Sequence, residues 1–324
     1  MAPTSCKERE LQKRYKMAIL FAWPEGDMVF WRREMENILG PLDFRVFPET
    51  GKLSDIEYAL VWRHPDGDLA RYPNLKAIFS LGAGVPFVLK DPSLPDVPLV
   101  RFANDELSRD MAQYAIYWVL HFHRDFFRYQ NQQRNKDWTR HIYPANHERR
   151  IGVLGLGEIG SITSATLARM GFPVTGWSST RRTIDGVTCL AGFAELNQVL
   201  EQSDILVSVL PATDALQNLL SAERLRRMPQ GAFLINMGRG ENIVDADLVA
   251  CLRDGHLAGA AFDVFQTEPL PFDDPYWSLP NVHVTPHVAG PSTNVWAPRL
   301  VAENIQRMQH GNNPYPIVDR LRGY

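Results

Sequence analysis

The feature that most constrains this chain is a glycine-rich turn between a strand and a helix. An apolar strand predicted over 150–154 leads into Gly155-Leu156-Gly157-Glu158-Ile159-Gly160, and a helix is predicted over 160–170. The first glycine permits a tight turn, the second lets a phosphate approach the backbone, and the third lets helix and strand pack closely. Free N–H groups at the helix N-terminus attract the phosphate. The turn therefore predicts dinucleotide binding, with an unliganded glycine turn as the alternative. Ser161 stands where a P-loop needs lysine, which excludes that site.

Apolar segments alternate with helical ones along most of the 324 residues. The length suits two domains. The strands are continuously apolar, which is typical of parallel sheets covered on both faces. The stretch 105–134 contains neither Pro nor Gly and predicts a single long helix that connects the two lobes. We therefore predict an α/β protein with two doubly wound parallel-sheet domains. The predicted strands are 17–23, 44–47, 58–62, 75–81 and 97–102 in the first series, and 150–154, 174–177, 205–210, 232–236, 258–265 and 282–285 in the second.

Charge and cysteine content exclude several classes of partner. The net charge is −3, which gives no electrostatic basis for binding nucleic acid or an acidic membrane. Cys6, Cys189 and Cys251 are far apart, so neither a zinc site nor a disulfide framework is expected. No apolar run approaches the ~18 residues that span a bilayer, and the polar segment 1–16 is no secretory signal. We predict a cytoplasmic protein with an N-terminal extension of no assigned function.

The residues after the second strand of the glycine-turn domain indicate which dinucleotide binds. An NAD site usually has an acidic residue about 20 residues after the turn, bound to the ribose 2′-hydroxyl. Here the strand ends in Trp177-Ser178-Ser179-Thr180-Arg181-Arg182, without an acid. Hydroxyls and two arginines suit a 2′-phosphate, because arginine forms charge-assisted bonds to phosphate. Ser178, Ser179, Arg181 and Arg182 therefore predict NADPH, with a solvated basic loop as the alternative.

Three polar residues follow three successive strands of the same domain. Arg239 lies after the strand 232–236, Glu268 after 258–265, and His287 after 282–285. Ligands of open α/β sheets bind at the carboxyl ends of the strands. Each residue taken singly is more often a surface ion-pair partner, a loop carboxylate or a turn residue, but their joint position predicts a catalytic set. His121, His123, His141 and His147 lack the spacing of metal ligands, so no metal is expected.

The chemistry of these three side chains suits carbonyl reduction. Hydride delivery to a ketone places negative charge on oxygen, which must then be protonated. An imidazole ordinarily titrates near neutral pH, so His287 is the expected proton donor. Glu268 would orient the ring and stabilise the imidazolium. Arg239 would bind a substrate carboxylate and polarise the carbonyl.

These motifs together resemble the D-isomer-specific 2-hydroxyacid dehydrogenase family, and within it the glyoxylate/hydroxypyruvate reductase A type. The resemblance covers nearly all of the chain after residue 16. The resemblance also rests on four further segments: Tyr58-Ala59-Leu60-Val61-Trp62, Leu81-Gly82-Ala83-Gly84-Val85, Trp177-Ser178 and Arg322-Gly323-Tyr324.

The resemblance implies that one domain binds the substrate and the other binds the cofactor. A flavodoxin-like substrate domain would comprise 17–103 and 288–324, and a Rossmann NADP-binding domain 104–287, with the active site in the cleft between them. Backbone N–H groups of Gly82, Ala83 and Gly84 would bind the substrate carboxylate, and Trp62 would line the pocket. The cofactor would further contact Leu210, Pro211, Gly238 and Asp263. Relatives are typically homodimers that reduce glyoxylate or hydroxypyruvate.

Departures from the family pattern leave the substrate open. Ser179 stands where an arginine is frequent, Pro86 replaces an aspartate, and Gly290-Pro291 replaces other small residues. Two alternative functions remain at this point. One is the reduction of bulkier 2-oxo acids such as phenylpyruvate, favoured by Trp62, Phe87 and Trp296 should they reach the pocket. The other is a non-enzymatic dinucleotide sensor or corepressor.

Overall fold

The computed structural model describes residues 17–23, 26–62, 64–82, 84–102, 105–290 and 296–320. The predicted extension 1–16, the predicted substrate contact Ala83, the family departure Pro291 and the motif 322–324 lie outside the described residues. The chain divides into two compact units. The first comprises Met1–Asn104 with Ser292–Tyr324, and the second comprises Asp105–Pro291.

The strands and helices alternate along the chain. In chain order the strands are β1 (Ala18–Ala22), β2 (Asp43–Val46), β3 (Ile56–Val61), β4 (Ala77–Ser80), β5 (Leu99–Val100), β6 (Ile151–Leu154), β7 (Val174–Ser178), β8 (Val187–Ala191), β9 (Ile205–Ser208), β10 (Ala232–Asn236), β11 (Leu257–Phe262) and β12 (Val282–Val284). The helices are α1 (Met28–Leu39), α2 (Pro86–Leu89), α3 (Asp105–His123), α4 (Phe126–Asn135), α5 (Glu158–Arg169), α6 (Phe193–Glu201), α7 (Ala222–Leu225), α8 (Asp245–Arg253) and α9 (Trp296–Gln309).

The first unit is built on a parallel sheet with strand order β2-β1-β3-β4-β5. This order is that of flavodoxin-like folds. Every residue of β1 is buried, as a strand covered on both faces requires. Helix α9 from the C-terminal part packs on α1, where Gln306 Nε2 donates to the carbonyl of Ile38 at 3.1 Å. Both parts of the chain therefore contribute to one core.

The second unit is built on a parallel sheet with strand order β12-β11-β10-β9-β6-β7-β8. The chain runs outward from β6 to β8 and then returns to β9 on the other side of β6. This reversal creates a switch point between β6 and β9, where open α/β sheets bind ligands. Two doubly wound parallel sheets confirm the predicted fold class. Strand β8 was not predicted from the sequence.

The prediction of a single helix over 105–134 is wrong. The chain forms α3 and α4, separated by Arg124 and Asp125, and both lie in the second unit. Asp125 adopts a left-handed backbone with φ of 55°, which ends the first helix. Aspartate enters this region more readily than most residues, so a helix can break there without the Gly or Pro that usually announces it. Among the described helices, none combines the length and apolarity needed to cross a membrane.

One buried histidine of α3 makes stability depend on pH. Burial, and then the nearby His283, lower the pKa of His121 to about 4, and only 2% of the residue is exposed. Above pH 6.5 both folded and unfolded states are neutral at this site. As pH falls from 6.5 to 4 the unfolded state gains a proton that the folded state excludes, so the free energy of unfolding decreases.

The expected slope is up to one proton, about 1.4 kcal/mol per pH unit. Urea unfolding of His121→Leu should show a flatter dependence between pH 4 and 6.5 than the wild type. His147→Leu, at an exposed position, is the matched control and should keep the wild-type slope. An unchanged slope in His121→Leu would contradict the assignment.

Candidate active site

The glycine turn lies at the switch point of the second sheet. Gly155 follows β6 with φ of 99° and donates its N–H to the carbonyl of Trp177 at 2.8 Å. A Cβ on Gly160 would overlap the carbonyl oxygen of Gly155, so only glycine lets α5 approach the turn this closely. A Cβ on Gly157, at the start of α5, would meet no described atom within 4 Å. The turn therefore leaves open space beside a helix N-terminus, which fits a phosphate group.

The other residues of the turn divide between core and surface. Leu156 is buried and packs directly against Gly176. A Cβ at position 176 would overlap the Leu156 side chain. Glu158 is exposed and Ile159 is half-buried at the start of α5. The turn is thus attached to the core through Leu156, while its glycine backbone faces outward at Gly157.

The two arginines that follow β7 have different surroundings. Arg181 Nη2 binds both carboxylate oxygens of Glu195 at 2.6 and 2.7 Å, and its Nη1 donates to the carbonyl of Cys189 at 2.9 Å. The Ala191 N–H, and then Arg181, hold the pKa of Glu195 below its ordinary value. Arg182 is exposed and has no hydrogen bond or ion pair within the described residues. Arg182 is therefore the uncompensated charge here, beside Ser178 and the exposed Ser179.

Backbone segments after β9 and β10 approach one another closely. A Cβ on Gly238 would lie 2.6 Å from both the amide nitrogen and the carbonyl oxygen of Leu210. Leu210 is buried, and the following Pro211 is exposed and accepts a hydrogen bond from Asn242 at 3.2 Å. The structure thus brings together the predicted cofactor contacts Leu210, Pro211 and Gly238 on the same edge as the glycine turn.

Arg239 follows β10 as a half-buried cation. Its Nη1 donates to the carbonyl of Gly238 at 2.6 Å. Burial lowers the pKa of Arg239, and the charges of Glu241 and Glu268 partly offset this effect; guanidinium nonetheless stays protonated in proteins. No carboxylate among the described residues forms an ion pair with it. The remaining donors of Arg239 are suited to an anionic ligand.

Glu268 and His287 form a hydrogen-bonded pair after β11 and β12. Nδ1 of His287 lies 2.8 Å from Oε2 of Glu268, and Oε1 of Glu268 accepts the N–H of Phe265 at 3.0 Å. Burial raises the pKa of Glu268, but hydrogen bonds from His287 and Phe265, with the charges of His287 and Arg239, lower it overall. The carboxylate is therefore ionised at neutral pH and can stabilise a protonated imidazole. The side chain of His287 remains 35% exposed, so a ligand can reach it.

Asp263 is buried at the end of β11 and organises the turn that carries His287. Its carboxylate accepts hydrogen bonds from the Thr285 hydroxyl at 2.6 Å and from the N–H groups of Val288 and Ala289 at 2.8 Å each. Sequence reasoning missed this role, and it missed Tyr114, whose hydroxyl lies 2.7 Å from that of Thr285. Tyr114 lies 171 positions away on α3, and no local pattern signals the contact.

The predicted substrate contacts that are described lie in the first unit. The Trp62 ring is 5.7 Å from that of Trp23 and 6.3 Å from that of Phe87. A Cβ on Gly82 would lie 3.0 Å from the Trp62 ring, so this glycine permits close packing. Gly84 lies two residues further on, before α2. Trp296 is nearly buried against Phe102 in the same unit, with ring centroids 5.6 Å apart.

Within the described ranges, no three His, Cys, Asp or Glu side chains gather into a possible metal site. The second unit instead has a glycine turn at a switch point, and Arg239, Glu268 and His287 follow the adjacent strands β10, β11 and β12. A dinucleotide site beside an arginine and a histidine–carboxylate pair defines a nicotinamide-dependent oxidoreductase.

Comparison with known proteins narrows the class to one family. Residues 116–289 match the model of the D-isomer specific 2-hydroxyacid dehydrogenase NAD binding domain. The chain belongs to the D-isomer specific 2-hydroxyacid dehydrogenase family, as the sequence motifs predicted.

Solved structures of similar proteins cover nearly the whole chain. A D-isomer specific 2-hydroxyacid dehydrogenase from Xanthobacter autotrophicus, in complex with NADPH and MES, is 39% identical with a TM-score of 0.88, covering 95% of this chain and 99% of that one. An NADPH-dependent glyoxylate/hydroxypyruvate reductase from Sinorhizobium meliloti, in complex with NADP and sulfate, is 33% identical with a TM-score of 0.88, covering 95% and 100%. A probable 2-hydroxyacid dehydrogenase from Rhizobium etli, in complex with NADP, HEPES and tartaric acid, is 35% identical with a TM-score of 0.86, covering 95% and 100%.

Proposed function

We propose that this protein is an NADPH-dependent reductase of small 2-oxo acids, with glyoxylate and hydroxypyruvate as its substrates and His287 as the proton donor. The observation that carries the proposal is the 2.8 Å contact between His287 Nδ1 and Glu268 Oε2, on the same sheet edge as Arg239 and the glycine turn. The NADPH or NADP bound to similar proteins and the glyoxylate/hydroxypyruvate activity of one of them support it.

The reaction assigns a separate task to each side chain. The chemistry that bound NADPH would supply is a hydride for the carbonyl carbon. Arg239 binds the substrate carboxylate and offers positive charge to the carbonyl oxygen. The protonated His287 gives its proton to that oxygen, and Glu268 holds the ring in place through Nδ1. The proposed cofactor domain is the unit Asp105–Pro291, and the roles of Trp62, Gly82 and Gly84 stay predictions.

A direct assay tests the proposed activity. Purified protein is mixed with NADPH and glyoxylate, hydroxypyruvate or phenylpyruvate, and oxidation of NADPH is followed at 340 nm. We expect the highest kcat/KM for the two small acids. A preference for phenylpyruvate would favour the bulkier-substrate alternative, to which the cluster of Trp23, Trp62 and Phe87 lends support. Absence of turnover with all three would favour a dinucleotide sensor.

Two glycines of the turn should respond differently to alanine. Gly160→Ala forces a Cβ against the Gly155 carbonyl, so we expect a lower melting temperature and weaker NADPH binding. Gly157→Ala fits the open space, and the φ of −71° at this N-cap position is one that alanine readily adopts. It should retain the melting temperature while obstructing the approach of the phosphate.

Thermal unfolding and NADPH titration by tryptophan fluorescence measure the two effects. Each variant is the control for the other, because both add one methyl group to the same turn. If Gly157→Ala binds NADPH as tightly as the wild type, the phosphate does not lie at this turn.

The arginines after β7 should determine the preference for NADPH over NADH. We expect Arg181→Ala and Arg182→Ala each to raise KM for NADPH more than KM for NADH, because only NADPH has a 2′-phosphate. Since no carboxylate of the described residues pairs with Arg182, while Arg181 binds Glu195, the larger effect is expected for Arg182. Arg169→Ala, in the last turn of α5, is the control. Equal changes for both cofactors would contradict a phosphate role.

The family resemblance also supports a homodimer. Large apolar side chains are exposed on α4 and the segment that follows it, including Phe126, Trp138 and Ile142. A second copy of the chain would remove these side chains from water. Light scattering of the purified protein measures the mass in solution, and a monomer would contradict this assembly.

A further inference from the structure

Two hydrogen bonds connect three side chains next to the turn that carries His287. The Tyr114 hydroxyl lies 2.7 Å from Thr285 Oγ1, which lies 2.6 Å from Asp263 Oδ1. A threonine hydroxyl has a single proton, and an ionised carboxylate only accepts. The Thr285 proton therefore goes to Asp263, and Tyr114 must donate to Thr285.

Asp263 holds the turn at three consecutive backbone amides. Its carboxylate accepts the N–H groups of Val288 and Ala289, and its carbonyl accepts the N–H of His287 at 2.9 Å. Only 1% of Asp263 is exposed, so water does not compete for these bonds. The positions of Val288 and Ala289, which directly follow His287, thus depend on where one carboxylate points.

The turn needs this anchor because His287 has an unfavourable backbone conformation. Its φ is 55°, in the left-handed region that residues other than glycine rarely adopt. Such a conformation persists only when surrounding contacts hold it. Relaxation to negative φ would swing the imidazole and separate Nδ1 from Glu268.

Tyr114 is suited to act as a permanent donor at the far end of the chain. It is half-buried on α3, and burial raises its pKa above the ordinary value, which keeps the phenol protonated. By donating to Thr285 Oγ1, it leaves the Thr285 proton directed at Asp263. Removing the phenol hydroxyl would free Thr285 to rotate and would loosen the carboxylate.

We propose that Tyr114 is a positioning residue for the reduction, acting through Thr285 and Asp263 to hold the His287 turn. This inference rests on the proposed function, because it assumes that His287 donates the proton. Tyr114 itself touches neither Glu268 nor His287 among the hydrogen-bonded pairs of the described residues. Its influence should therefore appear in the proton-transfer step and not in cofactor binding.

The test compares Tyr114→Phe with Tyr117→Phe, an exposed tyrosine on the same helix. For Tyr114→Phe we expect kcat to fall about threefold to tenfold, with KM for NADPH unchanged within about twofold. The control should match the wild type. Thr285→Val should lower kcat further, and Thr285→Ser, which keeps the hydroxyl, should recover most of that loss.

A double-mutant cycle separates this chain from general destabilisation. Because Tyr114 acts only through Thr285, Tyr114→Phe should have no further effect on kcat in the Thr285→Val background. Hydrogen exchange gives a readout independent of turnover: amides of Val288 and Ala289 should exchange faster in Tyr114→Phe than in Tyr117→Phe.

Additive effects on kcat, or wild-type kcat and amide exchange in Tyr114→Phe, would overturn the inference. A wild-type protein that reduces none of the 2-oxo acids would instead refute the proposed function. In that case the exchange measurement still decides whether Tyr114 anchors the turn.

Discussion

His287→Ala is expected to lower kcat for glyoxylate reduction by about 10²- to 10⁴-fold, the range for loss of a general acid. Alanine cannot deliver a proton to the developing alkoxide, and water would have to replace it. Binding of NADPH should change little, because the glycine turn and the residues after β7 are untouched. Stopped-flow absorbance at 340 nm under single-turnover conditions measures the chemical step itself.

His147→Ala is the matched control, because His147 is exposed on a short helical turn of the same unit. It should retain wild-type turnover. Near-normal turnover of His287→Ala at neutral pH would show that another group donates the proton.

The hydrogen bond between Glu268 and His287 also leads to a prediction for the pH profile. The pKa of Glu268 is below its ordinary value, so this carboxylate stays ionised through the neutral range and is neutralised only in acid. A general acid acts only in its protonated form, so reduction should instead fall at high pH. Glu268→Gln keeps a hydrogen-bonding side chain but loses the charge, so it should move this high-pH limb to lower pH. A flat wild-type profile up to pH 9 under single-turnover conditions would count against the proton-donor role.

Arg239→Ala is expected to reduce kcat/KM for glyoxylate by about 10³-fold or more, with losses in both kcat and substrate affinity. The guanidinium is the half-buried cation beside the Glu268–His287 pair, and no described carboxylate forms an ion pair with it. Its removal eliminates the contact with the substrate carboxylate, which lowers substrate affinity. It also removes the positive charge that stabilises the carbonyl oxygen during reduction, which lowers kcat. Steady-state kinetics with varied glyoxylate at saturating NADPH separates the two contributions.

Two companion measurements show whether the guanidinium itself is responsible. Arg239→Lys keeps a charge but loses the planar fork of donors, so it should recover only part of the activity. Added guanidinium ion should partly restore turnover in Arg239→Ala, because the substitution leaves a space of matching shape. Loss of folding in Arg239→Ala, seen by circular dichroism, would attribute the defect to structure. Unchanged affinity for glyoxylate in a folded variant would contradict the carboxylate contact.

Sequence patterns predicted those parts of the fold and site that depend on neighbours in the chain. Apolar strands and the glycine turn follow from local periodicity and spacing, and they were found as predicted. The break at Asp125 was not, because a left-handed aspartate carries no strong local signal. Strand β8 was missed because it lies at the sheet edge, where Leu190 is its only buried residue and the others are half-buried or exposed.

The sequence by itself therefore determined the fold class, the family and the positions of Arg239, Glu268 and His287, since each is encoded within a short segment. Only the tertiary structure decided which partners these segments meet. It paired Arg181 with Glu195, whereas no carboxylate in the described part of the chain pairs with Arg182, although the two arginines are adjacent in the sequence. It also joined Tyr114 to Thr285 and Asp263 across two elements. Hydrogen bonds between distant segments depend on how helices and strands pack, and local residue patterns do not specify that packing.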